Sequence, residues 1–182
     1  MQALHIRPVT LGDVPAIHHI YSESVRTWTA SWELVPPDAA EMARRIQAIL
    51  EQHYPYYVGI LDDTLVGYTY ASSYRARPGY RFTVENSIYV TPAYQRRGIA
   101  RQLLQTLIDT CSTLGYRQMV AVIGDSENHA SIALHRQLGF TQVALLPNLG
   151  FKFGRWLDSV MMQRALGDGG SSLPTEIQMV GQ

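Results

Sequence analysis

The sequence is short of several residue types, and each shortage excludes something. There is one cysteine, Cys111, in 182 residues, so neither an intrachain disulfide framework nor a cysteine metal cage is available, and a reducing cytoplasm is the expected setting. There is one lysine, Lys152, against 14 arginines. Net charge is absent too: 15 basic and 15 acidic residues cancel, which argues against a nucleic-acid or anionic-membrane partner. No run approaches the ~20 apolar residues of a membrane span, and the first ten residues lack the apolar core of a signal peptide. A soluble, unexported protein is expected. No His/Cys/Asp/Glu spacing matches a metal site, so no metal is expected.

What is present suits one well-cored unit: 46% of the residues are hydrophobic, enough for a single domain of this length. Residues 1–166 are expected to form it, with 167–182, rich in Gly and Ser, as a flexible tail. LHIRPVT alternates as a short strand, Asp13 and Pro15 open a helix, and Asp38 opens a second that Pro55 stops. Two strands flank Asp62-Asp63-Thr64 as a hairpin. RFTVENSIYV follows, with Val84, Asn86, Ile88 and Val90 on one face and Thr83, Glu85, Ser87 and Tyr89 on the other. Apolar residues at 99, 103, 104, 107, 108, 111 and 114 keep helical spacing to Gly115. MVAVIG is a strand, Asn128 to Leu138 a helix, and 141–146 and 156–163 two more strands. The order β-α-α-β-β-β-α-β-α-β-β predicts a mixed α/β (α+β) fold, with helices flanking a twisted, mostly antiparallel sheet.

The neutral total hides an uneven distribution. Between Arg75 and Arg101 the chain is net +5, and within that stretch SIYVTPAYQRRGIARQLL places a glycine-bearing loop before a helix. A helix start offers unpaired N–H groups and a positive dipole end, and Arg96, Arg97 and Arg101 add charge, so an anion such as pyrophosphate can be held there. The alternative is a solvated arginine loop before an ordinary helix. The pattern is neither a P-loop nor a dinucleotide fingerprint.

QRRGIA resembles the Gln/Arg-x-x-Gly-x-Gly/Ala signature of the GNAT N-acetyltransferases, and NHASIALHRQLGF resembles their second conserved block. YRARPGYRFTVENSIYV, VAVIG, LHRQLGF and KFGRWLD are similar to the phosphinothricin and methionine sulfoximine acetyltransferase group within that superfamily. The resemblance spans roughly Leu4 to Leu166. It implies the GNAT acyl-CoA N-acyltransferase fold, acetyl-CoA as donor, a small amino-acid-like amine as acceptor, and a homodimer. The implied coenzyme-binding residues are Ile88, Tyr89, Val90, Gln95, Arg96, Arg97, Gly98, Ile99, Ala100, Arg101, Asn128 and Ser131. Those implied around the acceptor are Arg75, Arg77, Trp32, Thr29, Lys152 and Phe153, with Arg75 first for the substrate carboxylate.

Acetyl transfer to an amine needs a base, a held thioester and a proton for the departing thiolate. Glu85 is a carboxylate in mid-strand, an uncommon place unless it has a partner or a role. The resemblance makes it the base, directly or through water; otherwise it pairs with Arg81 or faces solvent. Asn128 and His135, two helical turns apart, share a face. The resemblance makes His135 the general acid, against the alternative of a helix histidine bonded in the core. Cys111 falls on the apolar stripe of its helix, so direct attack in a ternary complex is expected rather than an acetyl-cysteine. Arg77 and Arg81 could equally form a basic rim that steers the coenzyme. A different amine acceptor, or a non-catalytic acetyl-CoA sensor, would use the same residues.

Overall fold

The computed structural model describes residues 3–176. The strands are β1 (His5–Pro8), β2 (Tyr56–Leu61), β3 (Thr64–Ser73), β4 (Thr83–Val90), β5 (Gln118–Gly124), β6 (Thr141–Lys152) and β7 (Arg155–Ala165); the helices are α1 (Val14–Thr27), α2 (Ala39–Glu51), α3 (Ile99–Thr113) and α4 (His129–Gln137). The strands form one sheet in the order β1-β2-β3-β4-β5-β7-β6. Every neighbouring pair is antiparallel except β4 with β5. The expected order and the mostly antiparallel sheet are therefore both observed.

Local chemistry explains most boundaries. Asp38 caps α2 by accepting from the Glu41 amide at 2.8 Å, and Asn128 caps α4 by accepting from the Ser131 amide at 3.2 Å. Asp13 behaves differently from a simple cap. Its carboxylate turns back to accept from the Thr10 amide at 2.8 Å and takes two 2.7 Å bonds from Arg7, tying the entry of α1 to β1. Asp62 and Asp63 both adopt positive φ, the conformation of a tight hairpin turn that matches strand twist. β6 runs six residues beyond the expected end at Leu146, past Pro147. An edge strand tolerates that proline because the N–H it lacks has no ladder partner to serve, and the register shifts between Leu146 and Gly150 to absorb it.

The sheet's two faces bury different clusters. α1 and α2 pack Ile17, Ile20, Met42 and Ile46 against Tyr56, Val58 and Tyr68. Tyrosine rings extend this layer across β2, β3 and β4: Tyr56 stacks on Tyr70 at 4.9 Å, Tyr68 on Tyr89 at 5.1 Å, and Tyr21 from α1 meets Tyr89 edge-on at 5.3 Å. On the opposite face α3 and α4 cover Val84, Met119, Ala121, Val160 and Met162 with Leu104, Leu107, Ile108, Cys111 and Leu138. The alternation expected along β4 follows, since Val84 and Asn86 are buried toward α3 and α4 whereas Tyr89 packs toward α1.

The tail expected over 167–182 is described only to residue 176. Arg117 donates to Ser172 Oγ at 2.7 Å and to the Leu173 carbonyl at 2.9 Å, so this part of it is bonded to the sheet's base. Residues 177–182 lie outside the described residues.

Leu107 is fully buried, and Leu107→Ala should lower unfolding stability by about 2–5 kcal/mol, read as a shift in denaturant midpoint.

Candidate active site

β4 and β5 pair in parallel for three residues only, ending at Glu85 opposite Val120, although β4 runs on to Val90 and β5 to Gly124. Past that point the sheet has a gap. Asn86 marks its vertex: the buried side-chain amide donates from Nδ2 to the Val120 carbonyl at 3.1 Å, supplying one bond across the gap where the backbone ladder stops. Two spaces meet there. A cleft of about 540 Å³ runs from the gap to the start of α3, and a cavity of about 390 Å³ lies on the side of β4 that carries Glu85. Ala30, Ile88, Tyr89, Asn128 and Ser131 line both, so a molecule in one can reach a molecule in the other.

The cleft ends at the helix start expected to hold an anion. Gly98 caps α3 at φ 78°, and Arg96 before it is also left-handed at φ 58°. A Cβ at Gly98 would meet no atom within 4 Å, so glycine is required for its backbone conformation rather than for space. The first-turn N–H groups of α3 have no intrahelical partner, and no acid stands in that turn. Arg96 and Arg101 line the cleft, as do Gln95, Ile99, Ala100 and Val90. Arg97 does not; its guanidinium lies 5.1 Å above the Tyr94 ring, because the left-handed turn sends consecutive side chains in different directions. Ala130, Ala133 and Leu134 of α4 supply an apolar wall. Unpaired β4 edge, free helix amides and arginine together fit an extended amide-containing chain ending in a pyrophosphate.

The cavity holds Glu85, Tyr21, Ser31, Trp32, Glu33, Asn86, Ser87 and His135. Burial pushes the Glu85 carboxyl above its ordinary value. Glu33 is bonded by Arg45 at 2.5 Å, and Arg45 in turn bonds Glu41 at 2.7 Å, which commits Glu33 to an ion-pair network and leaves Glu85 as the cavity's other carboxylate. Tyr21 Oη lies 3.0 Å from Ser31 Oγ. Cys111 is buried in the α3 stripe, its thiol pushed up to about 12 by burial, and takes no part in either space. Among the described residues no group of three or more His, Cys, Asp or Glu is arranged to hold a metal ion.

His135 reaches the cavity, but not as a free proton donor. Its ring is 2% exposed, with Nδ1 2.8 Å from the Ser131 carbonyl and Nε2 3.0 Å from Asn86 Oδ1. The Asn86 amide is oriented by its bond to Val120, so both ring nitrogens face acceptors. Burial holds the ring's pKa below the ordinary histidine value, against the bond to the Ser131 carbonyl, which raises it. The ring braces α4 against β4 with both nitrogens engaged, and Ser131 Oγ, 3.4 Å from Nδ1, stands at the junction of the two spaces.

Five residues expected around the acceptor do not line the cavity. Arg75 and Arg77 sit in the exposed connection between β3 and β4, outside the sheet, with Arg75 stacked 5.3 Å over Tyr74. Thr29 turns its hydroxyl to the Gly124 carbonyl at 3.3 Å. Phe153 is exposed in the β6–β7 turn, and Lys152 is buried behind the loop rather than in the cavity. Of the residues not anticipated, Asn86 had a signal in the sequence, an amide on the apolar face of β4. Tyr21, Ser87 and Glu33 had none, since only the crossing of α1 and its following loop over β4 brings them in.

A model of the acetyltransferase (GNAT) family matches residues 17–140. The chain is 48% identical over 172 residues to the phosphinothricin N-acetyltransferase of Alcaligenes faecalis, covering 94% of this chain and 87% of that one. It is 40% identical over 161 residues to the L-methionine sulfoximine/L-methionine sulfone acetyltransferase of Salmonella typhimurium, covering 88% of this chain and 94% of that one. The crystal structure of a GNAT superfamily phosphinothricin acetyltransferase from Sinorhizobium meliloti in complex with AcCoA matches with a TM-score of 0.93 and 45% identity, over 96% of this chain and 95% of that chain.

Arg96→Ala should raise the KM for acetyl-CoA by about 10-fold, and Arg97→Ala should leave it much closer to the wild-type value; equal effects would place the guanidinium contact elsewhere. Asn86→Ala strands a buried carbonyl and a ring nitrogen and should cost about 1–3 kcal/mol of stability, measured by denaturant unfolding.

Proposed function

The chain belongs to the GNAT family of acetyltransferases, and we propose that it moves the acetyl group of acetyl-CoA to the amine of a small amino-acid-like acceptor of the phosphinothricin, methionine sulfoximine or methionine sulfone type. The observation that carries this proposal is a half-buried carboxylate, Glu85, at the gap where the coenzyme cleft opens into a cavity of about 390 Å³. That volume suits a small acceptor, and the two relatives named for such acceptors are 48% and 40% identical to this chain.

Acetyl-CoA supplies an activated thioester carbonyl. The unpaired edge of β4 at Ile88, Tyr89 and Val90 holds the coenzyme's amide arm by backbone bonds, and α3 with Arg96 and Arg101 holds its phosphates. An N–H of that β4 edge aimed at the carbonyl stabilises the negative charge that develops on its oxygen. Glu85, directly or through one water, takes the proton that the amine must lose. Its raised pKa, caused by burial, makes it a better base than a solvated glutamate. Ser131 Oγ donates a hydrogen bond to the departing sulfur, which leaves as the thiolate and takes its proton from water. Direct attack in a ternary complex needs no acyl-enzyme, consistent with the inert thiol of Cys111.

β6 supports a homodimer. It is one of the sheet's two edge strands, and Val143, Leu145, Leu149 and Phe151 are 47–58% exposed along it, with Trp156 at 61% beside them. An unpaired edge carrying apolar side chains is suited to a second copy of the chain. No helix of the described residues is long and apolar enough to cross a membrane; a cytoplasmic location is part of the same proposal, in keeping with a free thiol and a coenzyme-A thioester donor.

Thiol release on mixing enzyme, acetyl-CoA and methionine sulfoximine tests the acceptor. The expected result is turnover that exceeds that with polyamines or short peptides; binding of acetyl-CoA with no thiol release on any of these would contradict catalysis. With acetyl-CoA saturating, kcat/KM should fall on the acid side at a pH above the usual glutamate range, as Glu85 becomes protonated. Glu85→Gln should abolish that limb and slow turnover by about 100-fold or more. Light scattering should give twice the chain mass, and Leu145→Asp should halve it.

A further inference from the structure

Lys152, the chain's single lysine, is 3% exposed at the end of β6. Its ammonium donates to two main-chain oxygens, Trp28 at 2.9 Å and Ser31 at 2.8 Å, and lies 4.9 Å over the Phe153 ring. Burying a charge is costly unless it is hydrogen-bonded or paired, and here two carbonyls supply the bonds. Both bonds here go to the connection between α1 and α2, residues 28–38.

That connection is seated on the sheet at two further points. A Cβ at Gly124 would lie 2.1 Å from the Thr29 carbonyl oxygen, and a Cβ at Gly150 would lie 2.0 Å from the Trp32 ring. The two glycines therefore admit the loop to β5 and β6, and the ammonium fastens it there. What the loop contributes is wall: Trp28 and Ala30 face the coenzyme cleft, while Ala30, Ser31, Trp32 and Glu33 line the cavity. Four of its residues thus shape one space and two the other. A compact ammonium suits two carbonyls that converge on one point, where a planar guanidinium would splay its donors.

We infer that Lys152 is a positioning residue for the acceptor: without touching substrate, it holds the α1–α2 connection against the sheet and so fixes the cavity's outer wall. The inference deepens the proposed function, because it rests on that cavity being the acceptor's place.

Lys152→Met removes the charge and keeps an unbranched chain. The KM for methionine sulfoximine should rise about 10-fold or more, the loss of charge-assisted bonds being of that order, while the KM for acetyl-CoA changes several-fold less. Amide exchange over residues 28–33 should accelerate, with that of α3 unchanged. An unaltered acceptor KM, or equal rises for both substrates, would overturn the inference. If the wild-type enzyme releases no thiol with methionine sulfoximine, the acceptor proposal fails, and exchange alone decides: faster exchange over 28–33 upholds the role of Lys152, and unchanged exchange refutes it. Should Lys152→Met not fold, Gly150→Ala displaces Trp32 and leaves the lysine in place. The same split of KM values and the same local exchange are expected from it, and a wild-type profile would refute the seating of the loop.

Discussion

The early end of the parallel pairing between β4 and β5 is the constraint on which the rest depends. A parallel ladder carried to Val90 and Gly124 would leave no passage between the faces of the sheet and no unpaired strand edge. Stopping at Glu85 and Val120 exposes the edge of β4, opens the cleft toward α3, and leaves Glu85 at the last paired position with its side chain in the cavity. The gap is not simply left open. Asn86 spans it to Val120, His135 fixes Asn86, and Ser131 fixes His135, so α4 is braced to both strands at the point where they part.

The two faces then take different tasks. On the α3 and α4 side, apolar packing sets the helix start that presents free amides and arginines to an anion. On the α1 and α2 side, the tyrosine layer carries α1 over β4 and brings Tyr21 and the following connection above Glu85. Both layers line the cleft, which Ile20, Glu23 and Ser24 of α1 face from one side and α3 and α4 from the other, and the five residues it shares with the cavity come from β4, the N-terminal end of α4 and the α1–α2 connection.

Much of this was legible in the sequence because it depends on local pattern. Period-2 alternation placed β4 and its faces, 3.6-residue spacing placed α3, and Asp38 and Asn128 marked helix starts through their own hydrogen bonds. Eleven of the twelve positions that the resemblance implies for the coenzyme line the cleft, and Arg97 turns away. Prediction was weaker where side-chain direction or nonlocal packing decides. Arg75 and Arg77 are close to Glu85 in sequence, yet the turn before β4 carries them outside the sheet. His135 shares a helix face with Asn128 as expected, but a facing amide that spacing along the helix does not reveal occupies its ring. Lys152 lies behind the cavity wall, where its carbonyl partners Trp28 and Ser31 are more than a hundred residues away in sequence and no local pattern reveals them.

The central claim, that the break between β4 and β5 brings the acceptor amine to Glu85 beside the thioester, is tested most directly by a crystal structure with methionine sulfoximine and an unreactive ketone analogue of acetyl-CoA. The account predicts the amine within about 3 Å of the Glu85 carboxylate, or joined to it by a single water, with the analogue's carbonyl between β4 and β5. An amine bound away from Glu85, with the coenzyme chain outside the break, would contradict it.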